Sequence, residues 1–252
     1  MRRTRRVGAL TRGRRFIGFV QSARALAVAH GDARAKAARL SLLCSDACAL
    51  HGLSVDVEGP LPDGPALLVA NHVSYVDPVV VLSFVRGTAI AKHEVSLWPF
   101  VGERARRSGT IFVRRDDGHS GARALLEARR ALKEGVSVLS FPEGTTTDGD
   151  RLLPFKRGVF GLGRALDVPV IPIHLSYTPT SLHWTGDAAF LPHYVEMTHL
   201  EHARARIAFG EPLNARLFDS AESLAARAHM SIRALAPVAS RVVDAALDVA
   251  FA

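Results

Sequence analysis

Between Ala66 and Phe209, short apolar runs alternate with helical patterns, and no other feature limits the fold of this 252-residue chain as tightly. Ala66–Ala70, Thr88–Lys92, Thr110–Val113, Val136–Phe141 and Val168–Ser176 have strand length and composition, and Ala205–Phe209 reads as a late strand. Pro78–Phe84, Trp98–Arg107, Ser120–Glu134 and Val159–Leu166 fall between them with helical spacing. The helix over Ser120–Glu134 turns Leu125, Ala128 and Leu132 inward and has Gly135 just past its end, where a left-handed residue stops a helix. Alternation of this kind predicts an α/β fold, a mixed sheet flanked by helices.

Upstream, Leu53, Val55 and Val57 alternate with polar residues, as in a half-buried strand. Asp32 is placed to cap a helix running to about Leu50, with Ala33, Ala37, Leu40, Cys44 and Ala47 on one face. Ahead of it, Phe16, Phe19, Val20, Ala23, Leu26 and Ala27 form an apolar stripe between Arg14 and His30. Residues 1–52 therefore read as a basic amphipathic helical hairpin broken at Gly31–Asp32. Residues 53–215 form the main domain, and a C-terminal helix within 216–252 packs on it. Ser181–His202 carries four histidines and little periodicity, and is expected to be irregular.

The net charge is +8 and the pI about 10.3, and seven arginines crowd the first fifteen residues with no acid among them. Such an end suits nucleic acid or an anionic membrane. Nucleic acid is disfavoured: the chain has no zinc-ligand spacing, no aromatics interleaved in a basic strand and no evident helix-turn-helix. On a membrane, each nearby Lys or Arg adds on the order of 1 kcal/mol to binding an anionic surface. Periodicity alone admits two homes for the stripe, the lipid headgroup layer and the protein's own core. No apolar run approaches the roughly 18 residues of a membrane span. Gln21, Ser22 and Arg24 interrupt what would be a signal-peptide core. Cys44 and Cys48 lack partners at metal spacing and read as small core residues of a reducing compartment.

The residues best placed for chemistry follow the strand that ends at Ala70. In Asn71-His72-Val73-Ser74-Tyr75-Val76-Asp77-Pro78, an imidazole and a carboxylate flank a turn that leads into a helix, with Asp77 expected at its N-cap and Pro78 at its first position. If the turn folds back, the carboxylate holds one ring nitrogen and leaves the other free to accept a proton from a hydroxyl. The alternative is a helix cap beside an ordinary loop histidine, and a His-x4-Asp spacing alone does not separate the two.

Three further segments bear on that choice. Gly109-Thr110-Ile111-Phe112-Val113-Arg114-Arg115, Phe141-Pro142-Glu143-Gly144-Thr145 and Val168-Pro169-Val170-Ile171-Pro172-Ile173 follow the His72 segment in this order. Together the four resemble the motif blocks of the glycerolipid acyltransferase family, of the lysophosphatidate (1-acylglycerol-3-phosphate) acyltransferase type. The resemblance runs from about Val55 to Leu213.

It implies a glycerol-3-phosphate acyltransferase-like fold and an enzyme that moves a fatty acyl group from acyl-CoA or acyl-carrier protein to the 2-hydroxyl of 1-acylglycerol 3-phosphate. The expected place is the cytoplasmic face of the membrane, held peripherally or monotopically. His72 and Asp77 would be catalytic; Asn71, Arg115, Glu143, Gly144, Thr145 and Lys156 would bind substrate; Pro172 would lie in the acyl-chain region. No metal and no cofactor beyond the thioester co-substrate are expected. No Gly-x-Ser-x-Gly elbow is present, so transfer would be direct, with backbone N–H groups after His72 or at the helix start as oxyanion donors. Arg114 stands where family members often carry an acid, and Thr146–Thr147 replaces a frequent Arg-Ser. These departures leave the headgroup open and admit another lysolipid, such as a lyso-ornithine lipid. Two other classes compete: a catalytically inactive membrane-binding module, which would have no need of the dyad, and a hydrolase, which would have no need of an anion clamp.

Overall fold

The computed structural model describes residues 31–98, 101–185 and 189–237, with isolated positions between 10 and 17. In chain order the elements are α1 (Ala33–Leu50), β1 (Ser54–Glu58), β2 (Leu67–Ala70), α2 (Asp77–Leu82), β3 (Gly87–Lys92), α3 (Gly102–Arg107), β4 (Ile111–Val113), α4 (Gly118–Lys133) and β5 (Ser137–Ser140). They continue with α5 (Gly158–Leu166), β6 (Val170–Thr178), α6 (Phe190–Thr198), β7 (Arg204–Phe209) and α7 (Ala221–Leu235). The first helix of the expected hairpin, with its stripe from Phe16 to Ala27, lies outside the described residues, as does the chain beyond 237.

Seven strands make one mixed sheet in the order β1-β7-β6-β2-β5-β3-β4. β4, β3, β5, β2 and β6 run parallel to their neighbours, β7 is antiparallel to β6, and β1 pairs with β7 in parallel. Strands buried on both faces are apolar throughout rather than alternating, and Leu67, Leu68, Val69 and Ala70 of β2 are fully buried. Leu68, Ala70, Ile171, Ile173 and Leu175 pack with Cys44 and Cys48 of α1 and with Val80 and Val81 of α2. On the opposite face Leu67, Val69 and Val138 meet Ala128 of α4, Phe160 of α5 and Ile232 of α7. Burying one such aliphatic side chain contributes about 1.5–3 kcal/mol, so this double layer holds the sheet.

Local signals set the helix ends. Asp32 caps α1 by accepting the Ala35 N–H at 2.8 Å, as its position predicts. Gly135, at φ +81°, follows α4, where a residue with a Cβ would be strained. Ser220 and Ser223 cap α7 reciprocally.

Two expectations need correction, and a third resolves between two alternatives. α3 begins at Gly102, because His93–Leu97 forms a separate 3-10 turn ahead of it. The segment expected to be irregular contains α6, a nine-residue helix whose Phe190 ring stacks on Trp98 at 4.2 Å. Pro169 and Pro172 suit an edge or a strand entry, and the second holds: β6 is interior and Pro169 stands at its entry. Pro169 precedes β6, and the ladder to β7 begins only at Ile173. Pro172 accepts the Gly210 N–H at 2.8 Å, and its missing donor faces the point where β7 has ended, so no ladder bond is lost.

Candidate active site

β2, β3, β4, β5 and β6 point the same way, so the segments leaving their C-terminal ends gather along one edge of the sheet. In open α/β sheets that edge is where ligands bind. His72 follows β2, Glu143 follows β5 and Arg115 follows β4.

The turn after β2 folds back on itself. His72 Nδ1 lies 2.7 Å from Asp77 Oδ2, and the same oxygen accepts the backbone N–H groups of Val73 at 2.8 Å and Ser74 at 2.9 Å. Asp77 Oδ1 accepts the hydroxyl of Tyr177 at 2.7 Å. The carboxylate is fully buried and holds four donors. A buried charge persists only when so engaged. Asp77 is therefore not the N-cap: Val76 occupies that place, α2 starts at Asp77, and the carboxylate turns back towards the preceding loop.

This geometry selects a tautomer. With Nδ1 donating to the carboxylate, Nε2 is left as the acceptor. The His72 ring stacks on Phe141 at 4.0 Å and its side chain retains 13% exposure, so one nitrogen is pinned while the ring edge stays accessible.

The backbone around His72 is held as firmly as the ring. The Asn71 amide donates to Leu175 O at 2.9 Å and accepts the Leu175 N–H at 2.7 Å, extending the β2–β6 pairing by one step. His72 O accepts the Thr147 N–H, and Val73 O accepts the Trp184 N–H, each at 2.8 Å. Glu143 Oε1 accepts the His72 N–H at 2.8 Å and Oε2 accepts the Leu153 N–H at 2.9 Å. Burial pushes the Glu143 carboxyl up to about 7; the two backbone donors act against this, and the charge of Asp77 adds to it.

The other expected residues divide into two groups. Gly144, at φ +77°, leaves the space in which Lys156 lies: a Cβ there would stand 2.7 Å from the Lys156 Nζ. Lys156 is also tied by its N–H to Pro142 O at 2.9 Å, so the Glu143-Gly144-Thr145 turn and the Lys156 ammonium form one unit beside His72. Arg115 comes to the same edge, but β4 is three strands from β2, roughly 14 Å at about 4.8 Å per strand. The surroundings of its guanidinium lower its pKa by desolvation, and Glu94 acts in the opposite sense. Pro172 is not gathered in: it is an odd number of residues from Tyr177 in β6 and so faces away from the Asp77 side of the sheet.

The structure alters three expected roles. Both ends of the Asn71 amide are engaged by Leu175, which gives the side chain a structural role rather than an open substrate contact. Each Glu143 oxygen holds a backbone donor, and the residue is 5% exposed. The N–H groups of Val73 and Ser74, in the turn after His72 that is one of the two places expected to supply oxyanion donors, are bound to Asp77. Among the described residues no group of three or more His, Cys, Asp or Glu is placed to hold a metal ion.

A family model described as Acyltransferase matches residues 54–176. The lyso-ornithine lipid O-acyltransferase of Rhodobacter capsulatus is 33% identical over 206 residues, covering 76% of this chain and 73% of that protein. The chain belongs to the glycerolipid acyltransferase family. A 1-acyl-sn-glycerol-3-phosphate acyltransferase from Neisseria gonorrhoeae is 31% identical over 156 residues, covering 60% of this acyltransferase and 58% of the relative. The crystal structure of the 1-acyl-sn-glycerophosphate (LPA) acyltransferase PlsC from Thermotoga maritima superposes with a TM-score of 0.64 at 25% identity, over 88% of this chain and 92% of that one.

Two residues of this acyltransferase's site escaped the sequence. Phe141 stands in the sequence only as the first residue of a motif, and Tyr177 lies beyond the expected end of its strand at Ser176. A tyrosine two steps on from the inward Ile173 and Leu175 was the available signal for the second.

Proposed function

We propose that this acyltransferase moves a fatty acyl group from a thioester donor, acyl-CoA or acyl-carrier protein, to the hydroxyl of a lyso-ornithine lipid. The observation that carries the acceptor is the extent of similarity: the relative named for lyso-ornithine lipid matches over 206 residues, the bacterial glycerophosphate relative over 156. The Thr146–Thr147 departure supports it, because the arginine that would suit a phosphate is absent there. An ornithine headgroup presents a carboxylate and an ammonium where glycerol phosphate presents a phosphate.

In this scheme His72 Nε2 takes the proton of the acceptor hydroxyl as the oxygen attacks the thioester carbonyl carbon. Asp77 orients the ring and offsets the charge of the imidazolium. The tetrahedral oxyanion then collapses, the carbon–sulfur bond breaks, and the imidazolium returns the proton to the departing thiolate. A positioned base of this kind contributes about 10²- to 10⁴-fold. The basic N-terminal residues suit action at an anionic, cytoplasmic membrane surface; among the described residues no helix is long and apolar enough to cross a membrane.

Acylation at the 2-hydroxyl of 1-acylglycerol 3-phosphate is the second reading, favoured by the likeness to the PlsC structure and by the cations Arg115 and Lys156. Purified protein given labelled acyl-CoA or acyl-carrier protein with each lysolipid separates the two. Higher kcat/KM for the lyso-ornithine lipid is expected; equal or higher kcat/KM for 1-acylglycerol 3-phosphate overturns the proposal in favour of the second reading.

A further inference from the structure

We infer that Tyr177 is a positioning residue for the transfer reaction, acting through Asp77 to set the pH at which the His72–Asp77 dyad becomes an active base. The inference rests on His72 serving as that base. Tyr177 lies in β6, on the strand next to β2, and its hydroxyl reaches Asp77 Oδ1 at 2.7 Å. The other carboxylate oxygen already holds His72, Val73 and Ser74, so Tyr177 is the one identified donor to Oδ1 among the described residues. Both partners are buried, and a hydrogen bond to a charged group in such a place is not replaced by water when it is removed.

The sign follows from either member of the dyad. Without the hydroxyl, the ionised carboxylate is less stabilised and takes up a proton at higher pH. Where it remains ionised, its undivided charge favours the imidazolium, which also forms at higher pH. Both routes move the acidic limb of the pH–rate profile upward. The hydroxyl itself stays protonated, because burial first and the Asp77 charge second push its pKa well above the ordinary phenol value. The other titratable groups facing the pair are Glu143 from the segment after β5, Cys48 from α1, and His183, whose ring meets that of Tyr177 edge-on at 6.3 Å. None of these is altered in the test.

Full-length enzyme carrying Tyr177→Phe is compared with wild type in kcat/KM for the acceptor from pH 5 to 9. The acidic limb should move to higher pH by up to roughly one unit, the tenfold that full loss of one charge-assisted hydrogen bond implies. Ile207→Val, a change in the same core with no polar contact, should lower Tm and leave the limb in place. Incorporation of 3-fluorotyrosine at position 177 keeps the ring and strengthens the donor, so the limb should move to lower pH. It also decides the matter if Tyr177→Phe does not fold. A limb that stays within about 0.2 unit of wild type in the folded position-177 variants overturns the inference, since the bond to Asp77 then has no part in setting the dyad's pH range. His72→Ala retaining full activity would instead remove the base on which it rests.

Discussion

Glu143 and His72 are joined through the backbone: the buried carboxylate accepts the His72 N–H at 2.8 Å and, with its other oxygen, the Leu153 N–H at 2.9 Å. One side chain thus ties the turn after β5 and the loop around Leu153 to the residue that carries the imidazole. The position of the ring is set from the backbone side by Glu143 and from the side-chain side by Asp77.

Replacing His72 by Ala should lower turnover by at least a hundredfold while leaving Tm close to wild type, since the ring is partly exposed. Steady-state rates and a melting curve on the same preparation check this. Retention of more than about a tenth of wild-type turnover would exclude His72 as the base.

Glu143 predicts a pH dependence of stability. Its carboxyl is raised from 4.5 to about 7 in the folded protein, so the native state holds a proton that the unfolded chain releases near 4.5. Its contribution is full below pH 4.5 and is lost as the pH rises through about 7, on the order of 3 kcal/mol in all. In urea denaturation, wild type should lose more stability between pH 4.5 and 7.5 than Glu143→Gln does. Parallel curves would show that Glu143 does not titrate in that window.

Arg115→Ala should raise KM for an anionic acceptor by about ten- to a hundredfold while changing KM for the acyl donor little, as expected for loss of a charge-assisted contact. Separate acceptor and donor titrations measure this. Equal effects on both substrates would assign the guanidinium to the donor or to structure.

The arginine-rich start should make binding to anionic vesicles weaken with salt, because exposed charges are screened within about 10 Å at 0.1 M. Removing residues 1–28 should abolish most flotation with anionic liposomes and leave activity on a short-chain acceptor. If the full and shortened proteins float equally, the anchor lies elsewhere in the chain.

Much of the fold was legible because buried parallel strands are written as uninterrupted apolar runs, and β2, β5 and β6 are of that kind. α6 was not. Its nine residues carry no sustained stripe, and a short helix owes its stability to tertiary contacts, here the stack of Phe190 on Trp98 and the 3.2 Å approach of Tyr194 to His51. The pairing of His72 with Asp77 could be read from local spacing, but the fourth donor to that carboxylate could not. Tyr177 stands 100 residues along the chain, and only the pairing of β6 with β2 brings it near. The N-cap expected at Asp77 failed because the spacing fits two local uses of one carboxylate equally well. Four donors bound at once outweigh a cap bond contributing about 1 kcal/mol.

The common direction of β2 to β6 separates what must stay constant from what is free to vary. His72 and Asp77 sit on the turn after the central strand β2, whereas Thr145, Thr146 and Lys156 ride with Glu143 and Thr147 on the connection between β5 and α5. That connection carries both the groups proposed to meet the polar end of the acceptor and the Glu143 and Thr147 contacts that hold the His72 backbone, so only the positions between those contacts are free to change without moving the imidazole. A shared scaffold could therefore diversify across lipids with unrelated headgroups through single positions of one loop whose remaining residues are fixed by the imidazole.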